Sequence, residues 1–206
     1  QPVLPVVGDR NFGSNVDPLD QFGGSGRYSE NDAGFGDPPA GGTQGYEPGA
    51  GSSSGAITNA FSGATRNQAP IQQVYDILET AAADAGVDVT IFSAGQDSKG
   101  SGGRRVGSTR HDRGRSVDVW LYDNGQRLSA NRANPIIAKF IASCVKNGAL
   151  GVGAGPGYMN GVGIHIDVVG SGDGGAIMWG RGCRSANTPS WVRAAYNAGK
   201  EGNIEV

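Results

Sequence analysis

The reading of this chain turns on Thr109-Arg110-His111-Asp112-Arg113-Gly114-Arg115-Ser116-Val117-Asp118-Val119-Trp120-Leu121-Tyr122. Its second half alternates as Ser-Val-Asp-Val-Trp-Leu-Tyr, which predicts a strand over Ser116–Tyr122, ended by the turn Asp123-Asn124-Gly125. On such a strand Ser116, Asp118 and Trp120 share one face. His111 lies in the loop that enters it, and Gly114 lets the chain turn closely between the two.

Outward from this strand the pattern stays regular. Ala69-Pro70 opens a helix in which Ile71, Val74, Ile77, Leu78 and Ala81 recur at helical spacing and Gly86 is the stop. Val87–Phe92 reads as a strand, and Gly95–Gly107 is a loop rich in glycine and arginine. Pro135–Lys146 reads as a second helix, with Asn147-Gly148 ending it. Ala149–Val152 and Gly163–Val169 predict two more strands, joined by the turn-rich Gly153–Gly161. Thr188-Pro189 starts a last helix, with threonine as the expected N-cap and proline at the first helical position. The fold class is therefore α+β: a small antiparallel sheet with flanking helices over residues 67–206, large enough for a core of its own.

Residues 1–66 differ. The chain holds 37 glycines among 206 residues, and Gly41–Gly55 is mostly glycine, serine, proline and small polar residues. Apolar clusters such as Val3–Val7 are too short to set a period. Such a segment buries too little apolar surface to offset its ordering entropy. The expectation is an extended tail that anchors the chain, along its own domain or along the proteins of an assembly. The net charge is −2 with no basic run, so nucleic acid is not an expected partner. No window reaches the roughly 18 apolar residues of a membrane span. Cys144 and Cys183 allow one disulfide or two free thiols.

The chain has two histidines, His111 and His165, each near carboxylates and glycines. The second lies in Gly163-Ile164-His165-Ile166-Asp167-Val168. If its strand pairs with Ser116–Tyr122, His111, Asp118 and His165 can meet. Two imidazoles and a carboxylate suit zinc, and a catalytic zinc site keeps a fourth position for water, acidified so that it attacks a carbonyl near neutral pH. Serine chemistry at Ser108 or Thr109 lacks the nucleophile elbow. The glycines of Gly151–Gly157 lack the βαβ context of a nucleotide loop.

The spacing Thr-x-His-x-x-Gly-x-Ser-x-Asp resembles the Ser-x-His-x-x-Gly-x-Ala-x-Asp signature of the zinc D-Ala-D-Ala carboxypeptidases. That family includes phage L-alanyl-D-glutamate endolysins and shares its fold with the hedgehog signalling domain. Gly-Ile-His-Ile-Asp-Val is similar to the family's His-x-Asp element, and Trp179-Gly180 resembles the tryptophan that commonly follows. The resemblance spans roughly residues 70–199. It implies one zinc ion on His111, Asp118 and His165 and hydrolysis of peptidoglycan peptides. A single such domain with a long tail fits an extracellular, cell-wall-directed lysin, or one mounted on a phage particle through residues 1–66.

The sequence also departs from the family. Many members carry a carboxylate three residues before the last ligand histidine, where this chain has Val162. Asp167 is the nearest replacement as general base, and it equally suits support of a ligand imidazole. The family's Ser-Gly-Tyr-Arg-like element corresponds to Ser93-Ala94-Gly95-Gln96. Gln96 can donate a hydrogen bond there without charge, and Arg105, Arg104 or Arg110 can supply the charge to substrate. Asp112 is expected to face solvent. These departures keep an alternative open: a structural or assembly protein that retains the metal-binding fold with little or no catalysis.

Overall fold

The computed structural model describes residues 55–61, 63–170 and 177–206. The anchoring role expected of the tail falls, up to residue 54, outside them. Strand β1 is Ile57–Asn59, helix α1 Gln72–Ala85, strand β2 Asp88–Ser93, strand β3 Ser116–Asp123 and strand β4 Gln126–Arg127. Helix α2 follows over Pro135–Lys146, then β5 Gly151–Gly153, β6 Ile164–Asp167, β7 Met178–Trp179 and helix α3 Ser190–Lys200. The fold is α+β.

The strands form one sheet in the order β1-β2-β3-β6-β5-β7, with β4 hairpinned onto β3. The centre is antiparallel, as expected: β3 pairs with β2 on one side and β6 on the other, and β5 pairs with β6. The edges are not. β1 runs parallel to β2 and β7 parallel to β5, so the sheet is mixed. A parallel pair needs a crossover, which α1 supplies between β1 and β2. Strand β1 lies at 57–59, inside the stretch that reads as tail.

Alternation sets what each face carries. Val117, Val119 and Leu121 of β3 and Ile164 and Ile166 of β6 point into the core, packed with Val74, Ile77 and Leu78 of α1 and Ile137, Phe140 and Ile141 of α2. Helix α3 adds Val192, Ala195 and Tyr196. The opposite face carries Ser116, Asp118 and Trp120, and His165 and Asp167, and these are buried too. Burial on both faces is unusual for an antiparallel strand, and it marks where polar groups must find partners inside the protein.

Local chemistry explains the boundaries. Asn134 caps α2 by accepting from Ile136 N and Ile137 N, with Pro135 at the first position. Gly86 closes α1 in the left-handed conformation. Thr188 does not cap α3. Pro189 occupies the N-cap without a side-chain bond, and the Thr188 hydroxyl donates to Ser185 O at 2.7 Å. Both cysteines are free thiols, Cys144 buried and Cys183 exposed.

Candidate metal centre

The register of the two central strands brings the site together. Asp118 of β3 lies directly opposite His165 of β6. On the other side of β3 the pairing with β2 shifts by one residue between Ile91 and Ser93. Such a bulge bends the strand locally and re-aims side chains. His111 arrives from the short 3₁₀ turn Thr109–His111. Just beyond that turn Gly114, at φ +72°, passes so close to the segment leading into α1 that a Cβ there would sit 2.6 Å from Ala69 O, and its carbonyl accepts from Ile71 N.

Candidate ligand atoms of His111, Asp118 and His165 lie within 4.8 Å of one another, and all three residues are buried. Asp118 is the hub. Its Oδ1 is 2.7 Å from His165 Nδ1 and its Oδ2 is 3.4 Å from His111 Nε2. The outer nitrogens of both rings are engaged. His111 Nδ1 lies 2.8 Å from Ala94 O. A carbonyl only accepts, so this nitrogen carries the proton and Nε2 turns its lone pair inward. His165 Nε2 lies 3.2 Å from Asp167 Oδ2, leaving Nδ1 to face Asp118. Each imidazole thus has an outer partner that orients it, as metal-bound histidines do. The donor set of two imidazoles and one carboxylate fits a metal ion, and His111, Asp118 and His165 can hold one.

Electrostatics in the trio are unequal. Burial lowers the pKa of His111, and Asp118 only partly offsets it. Burial also disfavours the charged form of His165, but hydrogen bonds to Asp118 and Asp167 outweigh it and raise that pKa. Asp118 is held well below the usual carboxylate range: burial pushes it up, and the two imidazoles push it further down. Burial pushes the Asp167 carboxyl up as well, but His165, Arg110 and the Gly170 N–H together outweigh it and hold it below the ordinary value.

The remaining expected site residues go to different places. Asp167 is fully buried, and both its oxygens are engaged. Oδ2 meets His165 Nε2 and accepts from Arg110 Nη1 at 2.6 Å, and Oδ1 accepts from Val169 N and Gly170 N. Gln96 and Arg105 are brought to each other, around Asp112, and not to the trio. Gln96 Nε2 donates to Ser108 O and Asp112 Oδ1, Gln96 Oε1 accepts from Val106 N, and Arg105 Nη2 donates to Asp112 Oδ1. Asp112 does not face solvent; it is 5% exposed. The reason is that it is the acceptor around which the loop closes. Burial would raise its pKa, but bonds from Gln96, Lys99 N and Arg105 lower it.

Two residues at the site carry no sequence signal. Arg66, in the stretch read as tail, places Nη1 3.5 Å from Asp118 Oδ2 and donates through Nη2 to Val106 O. Tyr158 is buried beside Trp179, and burial raises its pKa well above the ordinary value. Trp179 borders the site, its ring 5.1 Å from that of His165, whereas Trp120 stacks on Phe92 at 4.3 Å. No protein-family model, curated protein or solved structure matches this chain.

Proposed function

We propose that the protein is a zinc-dependent peptidase that hydrolyses peptide bonds of bacterial peptidoglycan. The observation that carries this reading is the buried His111–Asp118–His165 trio, with the outer nitrogen of each imidazole already held by Ala94 O or Asp167. Nitrogen and carboxylate donors of this kind suit zinc, and the motif spacing in the sequence favours it over the other metals that accept such a set. Bound there, zinc supplies Lewis acidity to a water and to a substrate carbonyl.

The chain's own residues do the rest. Ala94 O and Asp167 hold the outer nitrogens of the two rings. Asp167 serves as support and not as the group that takes a proton from water, because all its near neighbours are donors to it. Gln96 and Arg105 brace the loop that delivers His111: Gln96 N also donates to His111 O at 3.0 Å. Arg66 sets a positive charge beside Asp118. On this reading the protein acts outside the cytoplasm, at the cell wall or on a virion, with residues 1–66 as its anchor.

One observation favours a second reading, a protein that keeps the metal without turnover. Among the described residues, the carboxylates bonded to the two histidines are Asp118 and Asp167 alone, and both are committed. The readings part in one experiment. Zinc-loaded protein is incubated with purified cell walls from several bacterial types, and released amino groups are measured. Release that His165→Ala abolishes supports the peptidase. Intact walls from every type, with zinc bound, leave the structural reading.

A further inference from the structure

Arg110 neighbours the ligand His111 in sequence, yet its side chain serves the other histidine. Its guanidinium is mostly buried and reaches Asp167 Oδ2 at 2.6 Å, the same oxygen that lies 3.2 Å from His165 Nε2. It also lies over the Trp179 ring, 4.7 Å from the centroid, and that ring is 5.1 Å from the His165 ring. The four side chains close a loop: Arg110 to Asp167 to His165 to Trp179 and back to Arg110.

We propose that Arg110 is a positioning residue for the metal ligand His165, acting through Asp167 on one side and Trp179 on the other. The physical reason is as follows. A guanidinium cannot be deprotonated in a protein and only donates. Bonded to Asp167 Oδ2, it fixes the carboxylate oxygen that faces His165 Nε2, and with it the rotation of the imidazole that turns Nδ1 toward Asp118. The flat guanidinium on the indole fixes the second wall of the ring. The seat for Asp167 is provided by Gly151, across the strand pair, where any Cβ would collide with the carboxylate. One 3₁₀ turn, Thr109–His111, thereby places one ligand directly and orients another at a distance.

This inference rests on the metal-site part of the proposed function and not on peptidase activity. The test is zinc affinity, by competition with a chromophoric chelator, together with the visible spectrum of the cobalt-substituted protein. Arg110→Ala is expected to weaken zinc binding about 10- to 100-fold, as loss of an outer partner of a ligand histidine does, and to alter the cobalt spectrum. Asp167→Asn is expected to do the same. The double variant should be no weaker than Asp167→Asn alone, since residues acting along one chain are non-additive. Arg110→Lys keeps the charge and loses the planar face, so it should fold and give an intermediate loss. Wild-type affinity and spectrum in Arg110→Lys and Arg110→Ala would overturn the inference while leaving the metal site standing, as would fully additive losses in the double variant. A wild-type protein that binds no zinc would overturn both.

Discussion

His111 and His165 enter the centre from a loop and from a strand, and neither has a substitute, because the chain contains only these two histidines. Removing either imidazole leaves a single imidazole beside the buried carboxylate. Elemental analysis is expected to give close to one zinc per chain for the wild type and none for His111→Ala or His165→Ala. Gly151 tests the packing behind His165. In Gly151→Ala the new methyl meets the Asp167 carboxylate, which is anchored by four donors and cannot move freely. Overpacking of this kind typically costs about 1–3 kcal/mol. The expected result is a lower midpoint in urea together with weaker zinc binding, whereas a wild-type midpoint would show that Asp167 has room to shift. Asp112 gives the pH dependence. Its folded carboxyl is held below the ordinary value, so its contribution to stability is present above about pH 4, the unfolded value, and is lost as pH falls through the folded one. Urea melts between pH 6 and pH 3 should therefore show a smaller acid loss in Asp112→Asn than in the wild type.

Helix α2 runs over the same residues that its sequence pattern predicts, because Asn134-Pro135 and Asn147-Gly148 punctuate a continuous apolar face. Replacing Asn134 by alanine leaves Ile136 N and Ile137 N without their acceptor and should lower stability by about 1 kcal/mol in urea melts. The strands were less uniformly legible. Strands β2 and β3 each have six or more residues, long enough for a period to show, whereas β1, β4 and β7 have two or three. A pair or triplet of residues carries no alternation, and what makes Met178–Trp179 a strand is its parallel neighbour Val152–Gly153. The cap of α3 is a similar case. Thr188 has the right chemistry at the expected place, but the 3₁₀ turn before it offers Ser185 O as a nearer partner, and the hydroxyl donates there instead.

At the scale of the molecule, the site draws on both ends of the described chain. Arg66 comes from before α1, Asp118 from the central strand, and Trp179 from the far edge of the sheet. A ligand held by groups so distant in sequence stabilises the folded state alone. A chelator should therefore lower the melting temperature of the protein, and returned zinc should restore it, with about 2.7 kcal/mol of added stability at a free concentration one hundred times the dissociation constant. A melting temperature indifferent to both would show that the trio holds no ion in the folded protein.

The α+β class, the three helices, the central strands and the choice of His111, Asp118 and His165 as candidate ligands were determined by sequence alone, because each rests on local chemistry: a period, a cap, a turn glycine, or a scarce residue type at a telling interval. Tertiary structure decided the parallel edges of the sheet and the partners of every polar group around the centre. Asp167 sits among four polar partners and Gln96 links Asp112, Ser108 O and Val106 N because buried donors and acceptors must be satisfied by whatever the fold brings near. That proximity is a property of strand register and loop closure, which no interval along the chain records.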